Sequence, residues 1–227
     1  MRTREDVLIR FRSDTAAHTM TVLHDHGTYR HLRFRKPGTS CYGFDIVTWP
    51  GYLAISGDMG AALFTRLEDM LEFFRASEER IAAAAGGLPI NPEYWAEKCV
   101  ANDGPKKEFS SELFHQIVKE KFDEFVAENT EDEGPGPEWA DQLWEELETF
   151  VLFDDEDVEA TGRAIENMDD FKPDGESYKH FGFSDPWEYG SSLEDFRFHF
   201  MWRLYAIAYA VQIYDRAAAA TAEVPHG

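Results

Sequence analysis

The sequence predicts an α+β protein: an N-terminal helix and an antiparallel β-meander of about five strands, packed with a larger α-helical part. Two observations carry that prediction. Short apolar runs broken by glycine- and proline-containing turns fill residues 19–66, the pattern of strands joined in sequence. From residue 67 onward the apolar spacing changes to three or four residues, which is the period of helices.

Residues 4–17 place Val7, Leu8, Phe11 and Thr15 on one helical face, giving a short amphipathic helix. Residues 19–24 and Tyr29–Arg35 read as two strands around Asp25-His26-Gly27, a hairpin signal. This pairing puts Leu23, Leu32 and Phe34 on one face and Met20, Val22, Tyr29 and His31 on the other. Pro37-Gly38 turns the chain into the stretch on which the fold is organised, residues 44–75. There Phe44–Trp49, residues 52–56 and residues 61–66 are separated by Trp49-Pro50-Gly51 and Gly57-Asp58-Met59-Gly60. Glycine supplies turn dihedrals and proline fixes φ, so these are tight turns between strands. Thr65 stands three residues before Glu68, the spacing of a capping box, and Leu67, Met70, Leu71 and Phe74 recur at helical spacing.

Residues 81–87 (IAAAAGG) are the best candidate boundary. They divide a helix-plus-meander region, 1–80, from an acidic helical region, 88–227, with one compact domain as the alternative. Asn91-Pro92-Glu93 combines a capping side chain, a proline at the first helical position and an acid in the first turn, predicting a short helix over 92–101. Residues 107–128 carry a stripe of Phe109, Leu113, Phe114, Ile117, Val118, Phe122, Phe125 and Val126. Residues 130–137 read as a loop. Residues 138–153 and 155–168 read as acidic helices, with Trp139, Leu143, Leu147 and Phe150 setting the inward face of the first. Residues 169–190 are irregular, and their aromatic side chains pin them to the body. The last helix, 192–219, is apolar nearly all round, which places it in the core.

The wording TWPGYLAISGDMG followed by LEDMLEFFR, with REDVLIRFRSD and HDHGTYRHLRFRKPGTS before it, INPEYWAEKC after it and FMWRLYAIAYAVQIYD near the end, resembles an uncharacterised family of phage and prophage accessory proteins. The resemblance covers most of the chain and is weakest over residues 128–192. It implies a bacteriophage setting and an α+β fold, and it carries over no catalytic residue.

With 227 residues, 43% of them hydrophobic and 15% aromatic, the chain is long enough for a sizeable core. Cys41 and Cys99 make neither a disulfide framework nor a metal pattern, and are expected as reduced thiols in a bacterial cytoplasm. The N-terminus has no apolar region of a signal peptide. The longest apolar stretch, 196–214, contains Arg197, His199, Arg203 and Gln212, so no membrane span and a soluble protein are expected. Net charge is −22, and it is unevenly spread: residues 1–40 hold eight Lys/Arg against four Asp/Glu, whereas residues 123–195 hold 25 Asp/Glu against three Lys/Arg. Such a block repels nucleic acid and anionic membranes and attracts basic surfaces.

No constellation names a reaction. His18, His24, His26 and His31 cluster without an HExxH or CxxC companion, and surface turn positions account for them, so no metal is expected. Gly57-Asp58-Met59-Gly60 lacks the length and the lysine of a phosphate loop. Asp45, Asp58, Glu68 and Asp69 are candidate carboxylates for a hydrolytic site. No cofactor and no catalytic residue are expected. Arg30, Arg33, Arg35 and Lys36 form a small basic patch that pairs with the protein's own acids or with a second subunit.

The leading reading is therefore a non-enzymatic phage accessory protein. Its acidic surface, which resembles DNA in charge, binds and inhibits a basic host protein, such as a host-defence or nucleic-acid-binding factor. The binding residues are Glu138, Asp141, Glu145, Glu146, Glu148, Asp154, Asp155, Glu156 and Asp157. A small nucleotide or nucleic-acid hydrolase and a structural or assembly protein are the alternatives, and a homodimer is a further partner reading.

Overall fold

The computed structural model describes residues 4–130 and 138–222. Residues 131–137 of the expected 130–137 loop lie outside the described residues. The chain divides into two compact units, one of residues 2–106 with 196–227 and one of residues 107–195. The small-residue stretch 81–87 lies inside the first of them.

The sheet unit begins with α1 (Arg4–Thr15), which buries Val7, Leu8, Phe11 and Thr15. Six strands come after it: β1 (Thr19–His26), β2 (Tyr29–Arg35), β3 (Phe44–Trp49), β4 (Tyr52–Gly57), β5 (Gly60–Thr65) and β6 (Cys99–Asn102). They form one antiparallel sheet in sequence order. Alternate residues point inward, so Leu32 faces Ile46 and Phe34 faces Phe44 across β2 and β3, with the two phenyl rings stacked at 4.8 Å. Between β5 and β6 run α2 (Met70–Phe74), α3 (Glu78–Ala83) and α4 (Pro92–Lys98).

The unit closes with α8 (Phe198–Ala222). Its apolar residues ring the helix because it packs on α1, α2 and α4 as well as on β1 and β3. Trp202 meets Phe11 and Phe44 edge-on at 5.0 and 5.7 Å, and Leu204 and Ile207 are fully buried. Arg203 is the charged group inside this core. It donates to Met59 O at 2.9 Å, Asp103 Oδ1 at 2.6 Å and Asn102 Oδ1 at 2.9 Å, while Asp103 Oδ2 accepts from Ala61 N. Helix α8 thereby holds the β4–β5 turn and the end of β6 together. Gly60 sits in that turn at φ +89, where a Cβ would collide with the Asp103 carboxylate and the Arg203 guanidinium.

The structure corrects several expectations. Leu23 does not join Leu32 and Phe34: Met20 pairs with Phe34 and Val22 with Leu32, and the register shifts between Val22 and His24, so Leu23 is left out of the pairing. Thr65 ends β5 instead of capping a helix; the cap of α2 is Asp69, whose side chain accepts from Leu71 N at 3.0 Å. The helix expected over 92–101 stops at Lys98. Cys99 to Asn102 instead pair with β5, which supplies the sixth strand and satisfies an otherwise open sheet edge. Lastly, 107–128 is not all helix. Lys107–Phe109 is a strand, and Ser110 caps the helix that starts at Ser111 by accepting from Leu113 N.

The helical unit comprises β7 (Lys107–Phe109), α5 (Ser111–Glu128), α6 (Glu138–Phe150), α7 (Ala160–Asp170), a 3-10 stretch (Pro186–Leu193) and β8 (Glu194–Phe196), which pairs with β7. Phe114, Val118, Leu143, Leu147, Val151, Ala164 and Met168 form its core with Phe171, Tyr178, Phe181 and Phe183, so much of the aromatic segment 169–190 is pinned as expected; Trp187 is the exception at 63% exposed. Helix α6 ends three residues early. Leu152 N donates to Leu147 O, a closure that terminates helices. It turns Val151 into the core and leaves Phe150, expected inside, 63% exposed.

Candidate acidic interaction surface

The two units divide the charge completely. Residues 2–106 and 196–227 hold 16 Lys/Arg and 16 Asp/Glu, whereas residues 107–195 hold six Lys/Arg and 28 Asp/Glu. The whole net charge of −22 is therefore that of the helical unit.

Helix α6 contains no basic residue. Glu138, Asp141, Glu145 and Glu148 are all exposed, and at spacings of three, four and three they lie on one helical face. Glu148 accepts from Trp144 Nε1 at 2.7 Å. The carboxylates of Glu138, Asp141 and Glu145 accept no side-chain hydrogen bond and form no ion pair among the described residues, although the Glu145 backbone oxygen accepts from Thr149 Oγ1. Like charges at these spacings repel by a few tenths of a kcal/mol per pair, on the order of 0.2–0.5. Helices α5, α6 and α7 also have no basic residue in their last turns, where α7 ends in Asp169 and Asp170. Carboxylates at the negative end of a helix are unfavourable too. This placement of charge does nothing for the fold.

The other expected binding residues divide into free and engaged groups. Glu146 is engaged: it accepts from Tyr178 Oη at 2.7 Å and from Asp174 N at 3.0 Å. The bond to Tyr178 pushes that hydroxyl's pKa up to about 12. Glu156 accepts from Ser111 N and Oγ at 3.2 and 3.0 Å, a carboxylate held at the positive end of α5. Asp157 accepts from Arg163 at 2.7 Å and from Glu159 N at 2.9 Å, and these bonds, led by the Arg163 contact, lower its pKa. The same Asp157 turn moves the start of α7 to Ala160 from the expected 155. Asp154 lies 3.4 Å from His115 Nε2, and Asp155 is exposed. Beside this acidic turn stand Phe150 at 63% and Val158 at 101% exposure.

The strand and turn carboxylates are placed apart. Asp45 accepts from His31 at 2.9 Å and from Arg33 at 2.9 Å; burial works to raise its pKa, and these two partners outweigh it, so the pKa is lowered. Asp69 is held by both terminal nitrogens of Arg30, at 3.0 and 2.8 Å. Asp58 accepts from Tyr42 N, and Glu68 is exposed. Of the basic patch, Arg30 and Arg33 are thus bound to the protein's own acids, and Arg35 lies 4.0 Å from Asp45. His24 and His31 face each other across β1 and β2. His18 is buried with neither ring nitrogen hydrogen-bonded, and burial lowers its pKa. Among the described residues no group of three or more His, Cys, Asp or Glu is placed to hold a metal ion. Cys41 and Cys99 are free thiols, and burial raises the pKa of Cys99. No described helix is long and apolar enough to cross a membrane.

No family model, curated protein or solved structure matches the chain. The sequence pointed to the exposed acids of α6 but not to the exposure of Phe150 and Val158. The missing signal was the early stop of α6, which periodicity does not reveal.

Proposed function

We propose that this chain is a non-enzymatic accessory protein of a bacteriophage that binds a basic, nucleic-acid-binding host protein through the outer face of α6 and the adjoining acidic turn. The observation that carries this reading is the confinement of the entire net charge to residues 107–195, six bases against 28 acids. Glu138 to Glu148 span about 15 Å at the helical rise of 1.5 Å per residue, with four carboxylates on one face. One strand of duplex DNA places a phosphate about every 3.4 Å along the axis, so the two rows of charge agree in density to within a factor of about 1.5. Phe150 and Val158 flank the acidic turn in sequence and are exposed, so they are available as apolar contacts beside that turn. The phage setting rests on the resemblance of the TWPG and GDMG turns and their flanks. A hydrolase reading gains no support, because Asp45 and Asp69 are each engaged by arginine and stand in separate ion pairs.

The test is affinity capture of basic proteins from a bacterial lysate at about 50 and 200 mM salt, with duplex DNA as competitor. The variant replaces Glu138, Asp141, Glu145 and Asp155 by lysine; Glu146 and Asp157 are left intact because they hold the fold. Capture is expected to fall at the higher salt, to be displaced by DNA, and to be lost in the variant. Undiminished capture by a folded variant would sink the proposal.

A further inference from the structure

The sheet unit contains a groove that the acidic surface does not involve. Its volume is about 790 Å³, inside the roughly 300–1,000 Å³ range of small-molecule sites. Phe11 of α1, Phe74 of α2, Leu88 and Val211 of α8 give it apolar walls, and Arg12, Arg75 and Arg216 stand among its lining residues. Residues of the segment 76–89, the acidic Glu78 among them, also line it. Helix α3, within that segment, buries no side chain, so it contributes little packing of its own. Hydrogen bonds hold the segment instead: Arg12 donates to Gly86 O, and Gln212 Nε2 donates to Gly87 O at 2.7 Å.

The charges on the rim are unequal in their partners. Arg75 is neutralised by two hydrogen bonds to Asp215, at 2.7 and 2.8 Å. Arg216 reaches only Gln212, through its backbone oxygen and its side chain at 3.2 Å, and Arg12 reaches a backbone carbonyl. Two guanidinium groups without a carboxylate partner among the described residues thus border one apolar groove. A guanidinium beside an apolar wall matches a ligand with an anionic oxygen head and a hydrocarbon body.

We infer that this groove binds a small anionic amphiphile, its chain against Phe11, Phe74 and Val211 and its carboxylate or phosphate head at Arg12 and Arg216. The ligand is recognised by the sheet unit and is independent of the partner proposed for α6.

Calorimetric titration of the full chain tests this with decanoate, decyl phosphate and the neutral alcohol of the same length. One saturable site is expected for at least one of the two anions, at least tenfold tighter than for the alcohol; the tighter of the two anions identifies the head group. Arg216→Glu, an exposed substitution, is expected to weaken that anion at least tenfold while leaving the alcohol unchanged. Ala219→Trp, also exposed and lining the groove, is expected to weaken all three. Equal affinity for anion and alcohol, no saturable site for either anion, or wild-type affinity in both folded variants would overturn the inference.

Discussion

The sheet unit and the helical unit use the same ionisable residue types in opposite ways. In the sheet unit, acids meet arginines from distant parts of the chain: Arg30 with Asp69, Arg33 with Asp45, Arg75 with Asp215 and Arg203 with Asp103. These pairs join β2 to the cap of α2 and to β3, the end of α2 to α8, and α8 to the residue after β6, and they fix which elements are neighbours. In the helical unit Lys119–Asp123, Lys121–Glu124, Lys179–Glu176 and Arg163–Asp157 are local pairs, three to six residues apart, and exposed pairs of this kind contribute little. His115 approaches Asp154 from farther away in the chain. The outer acids of α6 face water without a base. A charge that knits a fold has a partner far away in sequence; a charge kept for another molecule has none.

The sharpest way to break this contrast is to remove packing from the centre of the sheet unit. Leu204→Ala or Ile207→Ala is expected to cost about 2–5 kcal/mol, because each side chain is fully buried and leaves a cavity. Hydrogen exchange followed across denaturant reads each unit by itself. Losses below about 0.5 kcal/mol at both positions would mean that α8 is not the core of its unit.

The β4–β5 turn offers the next largest effect. Gly60→Ala forces a left-handed dihedral on alanine and pushes its Cβ into the Asp103–Arg203 pair, so a loss of roughly 1 kcal/mol or more is expected in a thermal melt. Gly57→Ala tests a different cause at the same turn. Its φ is ordinary, but an added Cβ would strike the backbone of Gly43 and Phe44. No loss at either position would remove the case for a sterically closed turn.

Acid separates the two units by the order in which they weaken. The pKa values of Asp45, Asp69 and Asp103 are lowered in the fold. In each, burial opposes the shift and is outweighed by hydrogen bonds. Groups of this kind contribute stability that is present above the unfolded carboxylate value, about 3.9, and is lost as pH falls through the folded value. His18, also lowered, adds an earlier loss below about 6.5, since the unfolded chain takes up its proton first. The sheet unit should therefore weaken progressively as pH falls from about 6.5 to below 4. In the helical unit the lowered Asp157 loses its contribution by the same route, but protonation also relieves that unit's self-repulsion, so it should weaken later. Hydrogen exchange at several pH values checks the order, and His18→Gln should remove the loss that begins below about 6.5. Weakening of the helical unit first would reverse the comparison.

The charge contrast and many of the elements were legible in the sequence, but the division itself was not: residues 81–87, read as the boundary, lie inside the sheet unit. The strands from Phe44 to Thr65 were fixed by their turn residues, and the outward face of α6 by the spacing of Leu143 and Leu147. The features that stayed hidden depended on contacts between distant residues. Cys99 to Asn102 look like the end of a helix until β5 offers an edge to pair with. Glu146 and Glu156 look like surface acids until Tyr178 and Ser111 reach them. The return of residues 196–227 to the sheet unit has no local signal, since an apolar helix can bury itself in either unit. The groove was equally hidden, because its lining comes from α1, α2, α8 and the segment 76–89.

The smallest expected effect bears most directly on the proposed function. Glu145 is exposed on α6, with Asp141 four residues before it and Glu148 three after, and it lies toward the negative end of the helix dipole. Replacing it by lysine turns two repulsive neighbours into attractive ones and places a cation where the dipole favours it. Glu145→Lys should accordingly stabilise the helical unit by about 0.5–1 kcal/mol at low salt, and the gain should shrink as salt shortens the Debye length from about 30 Å at 0.01 M to 3 Å at 1 M. The paired measurement is partner capture. A variant that is more stable and binds less shows that the carboxylate is retained against the interest of the fold, which is the signature of a site kept for another molecule. If the variant is less stable, Glu145 supports a contact within the unit, and the acidic face of α6 loses its claim to be an interface.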